Sequence, residues 1–424
     1  MKLVRSAAWL LGALLLAQIA FGYSVLTHEE IVDLTWKSNL KPLILARFPN
    51  LTEDQLTEAH AYAYGGSVLQ DLGYYPFGSK EFSDLVHYVR SGDFVLELLR
   101  QSKDANEYAF ALGALGHYIS DVDGHPAVNR AVAMGYPKLL ARFGRSVTYS
   151  DDKVAHLKTE FGFDVSQVAK NRYAPQDYHN FIGFQVSEGL LERTFPVVYG
   201  LELKEVLPHE EMAVGSYRWA VAKLIPRMTK VALRMRGKEM AKDTPNFQRR
   251  KFLYRISRSE YERSWGHNYE QPGRGTRLLA ALLNRMPMIG PLKGLDFKEP
   301  TKKTEDIYIT SINKTVDDYQ RLLAILKQGS PPLEDRDLDT GAETIQAEYV
   351  LADETYDKLV VQLANKKFIQ TSPVLRENIL NFYTGHPARP TTAKDKARHL
   401  KISAAIENLK NTVDIQPTVT SAIE

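Results

Sequence analysis

The sequence predicts an all-α protein built as a multi-helix bundle, and three observations lead to that prediction. First, His117, Asp121 and His125 recur at intervals of four, the spacing at which side chains stack on one face of a helix. Second, residues 106–122 are rich in alanine and glycine and apolar over most of the helix surface, which is typical of a buried helix at the centre of a bundle. Third, residues 210–236 form a long amphipathic stretch with basic residues near its end, which favours a helix.

The composition is that of a globular protein whose metal sites, if any, use nitrogen and oxygen ligands. The chain has 424 residues, of which 44% are hydrophobic and 25% charged, enough for a large helical domain with a further region. A formal net charge of +3 gives no indication that the chain binds a polyanion such as a nucleic acid. The absence of cysteine excludes disulfides, thiolate ligands and a cysteine nucleophile.

Residues 1–22 have the pattern of a secretory signal peptide. Lys2 and Arg5 precede an apolar run over residues 7–21, and the segment closes on the small-residue pattern Ala-Phe-Gly that a signal peptidase cuts. The run is shorter than the ~20 residues that span a bilayer, so a cleaved signal is favoured over an uncleaved anchor. We therefore expect a secreted or periplasmic protein that begins at Tyr23 and is nearly neutral once both basic residues are lost.

The predicted mature N-terminus carries one candidate metal ligand beside the free amine. Thr27 is a plausible N-cap, and Glu30 three residues later would complete a capping box, so His28 would lie in the first helical turn. The α-amine and carbonyl of Tyr23 could chelate a metal together with this imidazole. The alternative is that His28 is only a helix-start residue.

The stretch over residues 112–127 is the strongest candidate for a metal site. His117 and Asp121 would be costly to bury without partners, and a metal ion such as zinc would supply them. We expect Gly124 and Pro126 to end the helix and let His125 swing to a neighbouring position. A simple histidine–aspartate hydrogen bond in the core would explain the pair but not His125.

Other candidate ligands lie on both sides of this stretch. Asp71 falls in a predicted loop and His87 in a short helix, and each taken alone has an ordinary structural interpretation. His156 and Glu160 repeat the four-residue pairing of a nitrogen with a carboxylate on one predicted helix. That pair could be an exposed polar pair, but the patterns together indicate a metal centre.

The C-terminal region, residues 241–424, contains no motif with a chemical interpretation. Residues 248–263 are rich in arginine and aromatic residues and could meet anionic lipid headgroups, although a solvated helix face explains them as well. Residues 286–304 are predicted to be a long loop or domain junction, and residues 330–341 a linker. Helices are predicted over residues 307–328 and in two or three later segments.

The order of these polar residues resembles a known family, the secreted zinc-dependent phospholipase C enzymes and the related single-strand nucleases. The spacing is most similar to the zinc-dependent phospholipase C-like domain of glycosylphosphatidylinositol-specific phospholipase D. Two departures are a tyrosine where some members begin with tryptophan and a long region beyond the minimal enzyme. The resemblance covers residues 23–165 by motif and implies a family domain over residues 23–240. The matching positions are Tyr23, His28, Asp71, His87, His117, Asp121, His125, His156 and Glu160.

The resemblance implies three zinc ions and assigns a ligand set to each. The first set is Asp71, His87, His117 and Asp121; the second is His125, His156 and Glu160; the third is Tyr23 and His28, with Asp121 bridging. Asp71 is also the candidate general base. Three carboxylates would offset the repulsion between closely spaced divalent ions.

The implied activity is phospholipase C-type hydrolysis of a phospholipid by zinc-activated hydroxide at a membrane surface. Four tyrosines in one segment could line a headgroup pocket or could be ordinary core aromatics: Tyr62, Tyr64, Tyr74 and Tyr75. One alternative is a single-strand nuclease, which would want aromatic stacking platforms and a basic groove; the near-neutral charge favours a substrate other than nucleic acid. A second alternative is a secreted zinc- or lipid-binding protein without turnover. The sequence carries no indication of an oligomeric state.

Overall fold

The chain is described by a computed structural model over residues 25–75, 77–169, 184–219, 298–384 and 393–411. Within these ranges it folds into helices and forms no β-strand, which confirms the prediction of an all-α protein. None of the helices in these ranges combines the length and the apolarity needed to cross a membrane.

The helices of the described residues are numbered here in chain order. The first seven are α1 (Val25–Thr35), α2 (Lys41–Arg47), α3 (Glu53–Gly66), α4 (Lys80–Tyr88), α5 (Ser91–Gln101), α6 (Ala105–Gly135) and α7 (Pro137–Phe143). The next four are α8 (Lys153–Ala169), α9 (Glu188–Tyr199), α10 (Leu203–Val206) and α11 (Glu210–Trp219). The last four are α12 (Lys302–Leu326), α13 (Val350–Asn365), α14 (Pro373–Tyr383) and α15 (Ala393–Asn411). A π-helical turn, Trp36–Leu40, follows α1, and a 3-10 turn, Gln70–Tyr74, follows α3.

Helix α6 lies at the centre of the bundle, with α3, α5 and α12 packed around it. Asp104 caps its first turn by accepting a hydrogen bond from the Glu107 amide at 2.8 Å. Glycines let α3 and α6 approach until their backbones touch: a Cβ atom added to Gly113 would lie 2.1 Å from the carbonyl oxygen of Ala63. One added to Gly66 would lie 1.9 Å from the carbonyl oxygen of Phe110. The small residues predicted for the bundle centre therefore serve close helix contact.

The expectation that Gly124 and Pro126 end this helix is wrong. Helix α6 continues through Pro126 to Gly135 and has 31 residues. Proline removes the amide that would bond to the carbonyl of Val122, but one missing bond does not break a helix that is buried on most sides. The free space at that carbonyl is taken by Gly341, whose added Cβ would lie 2.3 Å from the Val122 oxygen.

The N-cap predicted at Thr27 is also wrong. Helix α1 already includes Val25, and the Thr27 hydroxyl donates to Asp164 Oδ1 at 2.8 Å instead of capping the helix. The amide of Leu26 donates to the other oxygen of Asp164 at 3.1 Å, and the Thr27 hydroxyl also contacts the Tyr308 hydroxyl. The start of α1 is thus held by side chains from α8 and α12.

Helix α12, the first described helix after residue 298, packs directly on α6. The Tyr319 hydroxyl donates to the carbonyl of Leu112 at 2.7 Å, and the ring of Tyr319 lies against Gly116. The Tyr308 ring stacks on Phe163 of α8 with their centroids 4.3 Å apart. These contacts bind the region after residue 298 to the helices that precede residue 169.

The linker predicted over residues 330–341 is partly wrong. Residues Asp337, Leu338 and Asp339 are buried, with exposed fractions of 2%, 0% and 5%. The proline- and aspartate-rich composition is typical of a linker, but Asp337 accepts the amide of Asp339 within a tight turn, and Asp335 accepts two amides at the start of α5. Helices α12 to α15 agree with the helical segments predicted for this region.

Several predictions fall partly or wholly outside the described residues. They include the signal peptide, the domain boundary at residue 240, the segment 248–263 and most of the junction 286–304. The helix predicted over residues 210–236 begins at Glu210 and is described as far as Trp219. The division into domains at residues 22 and 240 stays a prediction.

We predict that Gly113→Ala lowers the free energy of unfolding by about 1–3 kcal/mol or more, because its methyl group would meet the backbone of α3. The control is Gly189→Ala in α9, where the nearest atom to an added Cβ is a flexible arginine nitrogen at 3.5 Å. There alanine improves helix propensity, so stability stays level or rises. Thermal unfolding followed by circular dichroism measures both. Equal stability of the two variants would contradict the close packing of α3 on α6.

Candidate metal centre

One face of helix α6 carries a polar row at four-residue intervals through an otherwise apolar core. His117, Asp121, His125 and Asn129 follow one another along it, and each is at most 1% exposed. The Nε2 atom of His117 lies 2.9 Å from Asp121 Oδ2. Because successive positions in such a row rotate slowly around the helix axis, the two ends of the row face different neighbouring elements. This rotation divides the centre into two adjacent groups.

The first group surrounds Asp121. His87, from the last turn of α4, places Nε2 3.5 Å from Asp71 Oδ1 and 3.6 Å from Asp121 Oδ2. Asp71 lies in the 3-10 turn after α3. His28, from α1, places Nε2 3.6 Å from Asp121 Oδ1 and stacks its ring on that of His117, with centroids 4.3 Å apart. Four separate elements thus contribute to one pocket.

The second group surrounds Glu160 of α8. Its Oε1 atom lies 2.8 Å from Nδ1 of His156, one helical turn earlier, and 3.6 Å from Nε2 of His125. All three side chains are at most 2% exposed. The pairing predicted over one turn of α8 therefore points into the core, and it is not an exposed polar pair.

Backbone carbonyls orient the two histidines of the first group that flank Asp121. The Nδ1 atom of His87 donates to the carbonyl of Ser83 at 2.7 Å, and Nδ1 of His117 donates to the carbonyl of Ser67 at 2.9 Å. Since each Nδ1 is used as a donor, Nε2 is the ring nitrogen of each residue that faces the carboxylates and is left for a metal ion. Neutral imidazole held in a fixed tautomer by its far nitrogen is the usual arrangement of a metal ligand.

The histidines of the second group are oriented in the same way from the opposite side. His125 Nδ1 donates to the carbonyl of Leu338 at 2.5 Å, leaving Nε2 toward Glu160. His156 Nε2 donates to Asn129 Oδ1 at 2.8 Å, leaving Nδ1 toward the same carboxylate. Asn129 in turn donates to the carbonyl of Asp339 at 2.9 Å, which links His156 to that carbonyl through two successive hydrogen bonds.

The electrostatics of the first group are dominated by its carboxylates. Burial and the neighbouring His117 lower the pKa of His28 to about 3. Burial also disfavours the charged form of His87, but Asp71 and Asp121 outweigh it and raise its pKa to about 9. Burial opposes ionisation of Asp121, yet the adjacent imidazoles, His117 foremost, hold the pKa of this carboxyl well below its usual range. The first group therefore favours an ionised aspartate and attracts positive charge.

The second group behaves differently because burial and other carboxylates dominate the electrostatics of Glu160. Burial, and then the charge of Asp71, raise the pKa of Glu160 well above its ordinary value. Burial and His125 lower the pKa of His156 well below its ordinary value. Both shifts favour the neutral form, so binding of a divalent ion at Glu160 would be coupled to the loss of a proton.

The side chains of both groups offer the types of donor atom that bind zinc. The carboxylate oxygens of Asp71, Asp121 and Glu160 are buried and accept no hydrogen bond from the described residues. Ligand atoms of His28, His117 and Asp121 lie within 4.8 Å of one another, and so do those of Asp71, His87 and His117. Imidazole nitrogens with carboxylate oxygens form a donor set that zinc accepts, and a cation would satisfy the buried oxygens.

All of these ligand candidates are predicted from the sequence, whereas the residues that support them are not. Asn129 continues the four-residue row from His125, so the spacing itself could have identified it. Asp164 continues the row of His156 and Glu160 and fixes the start of α1 beside His28. The carbonyls of Leu338 and Asp339 leave no trace in the sequence. Tyr23 lies outside the described residues.

Asp121→Asn should lower zinc affinity by about 10-fold or more, because it removes the negative charge shared by three imidazoles of the first group. The matched control is Asp123→Asn on the same helix, whose carboxylate pairs instead with Lys314 of α12. Competition with a chromophoric chelator measures the affinity of each variant. Equal affinities for the two variants would remove Asp121 from the centre.

Comparison with known proteins agrees with this geometry. Residues 27–207, under half of the chain, match the family described as zinc dependent phospholipase C. No curated protein and no solved structure matches the chain significantly. The matched segment includes both groups around Asp121 and Glu160, while the turn that holds Leu338 lies beyond it. Residues 27–207 are therefore similar to the zinc-dependent phospholipase C family, and both groups of the candidate metal centre lie within the similar segment.

Proposed function

We propose that the protein is an exported phosphodiesterase that hydrolyses phospholipids in the manner of phospholipase C and uses three zinc ions. The observation that carries this proposal is the convergence of imidazoles and carboxylates from α1, the 3-10 turn, α4, α6 and α8 on one buried region. The match of residues 27–207 to a zinc-dependent phospholipase C family supports the same reaction class.

The proposed zinc ions follow the two groups and the mature N-terminus. Asp71, His87, His117 and Asp121 would hold the first ion. His125, His156 and Glu160 would hold the second and leave a coordination position open, as a catalytic zinc requires. The third would bind His28 and the amine and carbonyl of Tyr23, with Asp121 shared; the 3.6 Å between His28 and Asp121 supports this sharing.

The reaction needs a nucleophile and a place for negative charge. Zinc, when bound, lowers the pKa of water toward ~7 and stabilises charge on phosphoryl oxygens. Attack of water oxygen on phosphorus would break the bond to the glycerol oxygen, which leaves with a proton as diacylglycerol, while the headgroup keeps the phosphate. Asp121 and Glu160 would balance the charge of the ions, and the fixed imidazole tautomers would keep the lone pairs aimed inward.

Asp71 is the candidate general base of this reaction. Its carboxylate is 1% exposed, and its oxygens accept no hydrogen bond from the described residues, so both are free of competing donors. Its Oδ1 lies 3.5 Å from Nε2 of His87, close enough for both residues to contact the same ion. Asp71 would accept a proton from the attacking water and return it to the leaving glycerol oxygen.

The tyrosines near the centre support a headgroup site only in part. Tyr74 borders the first group, with its ring centroid 5.8 Å from that of His87. Tyr64 instead bonds to Asp33, and Tyr75 packs edge-on against Tyr217. Tyr149, absent from the sequence-based set, borders the second group. We propose Tyr74 and Tyr149 as the aromatic wall that a bound headgroup would contact.

His125→Ala should lower phosphatidylcholine hydrolysis by at least about 100-fold and reduce the zinc content by about one ion per chain. The physical reason is loss of one of the three ligands proposed for the second ion. The matched control is His399→Ala on α15, where the histidine is exposed. Headgroup release and elemental analysis of the purified protein are the two measurements. Full activity with unchanged zinc content in His125→Ala would refute the assignment.

Parallel assays with phosphatidylcholine vesicles and single-stranded DNA separate the proposed enzyme from a nuclease. We expect hydrolysis of the lipid and little cleavage of the DNA, because the predicted mature chain is nearly neutral and lacks the charge for a polyanion groove. Zinc binding with neither activity would instead favour a protein in which the ions act only as structural links.

Export is part of the proposal and can be measured separately. Cleavage after residue 22 would free the amine of Tyr23 on which the third zinc depends. The intact mass of the exported protein reports the cleavage, and its metal content reports the third zinc ion. A mature mass that retains residues 1–22 would remove the third site and leave the other two in place.

A further inference from the structure

A buried turn from the C-terminal region reaches the second group of the metal centre. This turn, residues 337–341, lies outside the segment that matches the family. The carbonyl of Leu338 accepts the Nδ1–H of His125, and the carbonyl of Asp339 accepts Asn129, which in turn orients His156. Both histidines proposed to bind the second ion therefore take their tautomer from one turn.

The turn is rigid because one aspartate satisfies it internally. The Asp337 carboxylate accepts the amide of Asp339 at 2.9 Å and the hydroxyl of Thr340 at 2.7 Å. The carbonyl of Asp337 accepts the amide of Gly341 at 2.8 Å, and the amide of Leu338 donates to the carbonyl of His87 at 3.2 Å. The two carbonyls that face α6 are thus held in place from within the turn and by the first group.

The turn docks where α6 lacks a backbone hydrogen bond. Gly341 has φ +70°, and a Cβ there would lie 2.3 Å from the carbonyl oxygen of Val122 and 3.2 Å from Pro126 Cγ. Proline supplies no amide to that carbonyl, so the helix presents an unobstructed oxygen at this position. Position 341 needs a residue that tolerates a positive φ and has no Cβ atom to collide with α6. Glycine is the residue that meets both requirements.

The Asp339 side chain places a buried carboxyl group behind His125. Its Oδ2 accepts the hydroxyl of Tyr88 at 2.8 Å and the hydroxyl of Tyr349 at 2.5 Å. Its Oδ1 lies 3.9 Å from Nδ1 of His125, on the side of the ring away from Glu160. A carboxylate in that position strengthens an imidazole as a metal ligand.

We propose that the 337–341 turn is a positioning element of the zinc centre, which makes the C-terminal region an integral part of that centre. The proposal rests on the zinc binding argued under the proposed function. It assigns the turn the task of fixing the orientation and tautomer of His125 and His156 through the carbonyls of Leu338 and Asp339. The chemical partner is the ion held at Glu160.

The test uses two glycines that both have a positive φ. Gly341→Ala would push the turn off α6, whereas Gly144→Ala, at φ +84°, also introduces a side chain at a positive φ but has no atom within 4 Å of an added Cβ. We expect Gly341→Ala to weaken the binding of one zinc ion by about 10-fold or more in chelator competition. It should also change the visible absorption spectrum of the cobalt-substituted protein, which reports ligand geometry. Gly144→Ala should change neither.

A milder pair of variants decides the matter if Gly341→Ala does not fold. Tyr349→Phe removes one donor from Asp339, and the control Tyr383→Phe removes the hydroxyl that donates to Asp357 of α13, away from the turn. Tyr349→Phe should weaken zinc binding in the same direction by a smaller factor, with the control unchanged. Wild-type zinc affinity and cobalt spectrum in both Gly341→Ala and Tyr349→Phe would overturn the proposal. A wild-type protein that binds no zinc would overturn the proposed function itself.

Discussion

Buried carboxylates surrounded by imidazoles constrain the whole helical bundle. Moving an ionised carboxylate out of water is costly unless opposite charge and hydrogen bonds replace the lost hydration. Asp71, Asp121 and Glu160 are at most 1% exposed and come from three different elements, so the packing of those elements brings their charges together. Bound divalent cations would turn the electrostatic cost of burying these carboxylates into a contribution that stabilises the folded state. The stability of the bundle and the chemistry of its centre would then depend on the same ions.

The apolar packing serves this polar centre. Gly113 and Gly66 allow α3 and α6 to lie backbone to backbone, which brings the carbonyl of Ser67, just after α3, within 2.9 Å of His117. A larger residue at either glycine would separate these helices and pull that acceptor away from the ring. Precise placement of ligands is achieved here by main-chain groups, which move less than side chains do. That is the property a metal centre needs from its surroundings.

The parts of the centre that follow from helical periodicity could be predicted from the sequence. His117 with Asp121, and His156 with Glu160, are one turn apart, and this spacing places each pair on one helix face. Nothing in the spacing joins His28, Asp71 and His87 to them; only the resemblance to a family did so. Predictions from local sequence were wrong where tertiary contacts outweigh the usual conformational preference of a residue or segment. Pro126 and the segment 330–341 have the composition of a helix end and a linker, but each is held by the other in the folded chain.

The same contacts bear on the order in which the protein assembles. His125 and the Leu338 carbonyl are 213 residues apart in the chain, and Thr27 and Tyr308 are 281 residues apart. Contacts of such long range form late, because a large loop must close before they stabilise anything. A nascent chain that has emerged only as far as the last of its ligand residues still lacks the groups that orient them. Orientation of His125 and His156 is thereby deferred until the chain has been synthesised past residue 339, well after the ligand residues themselves have emerged.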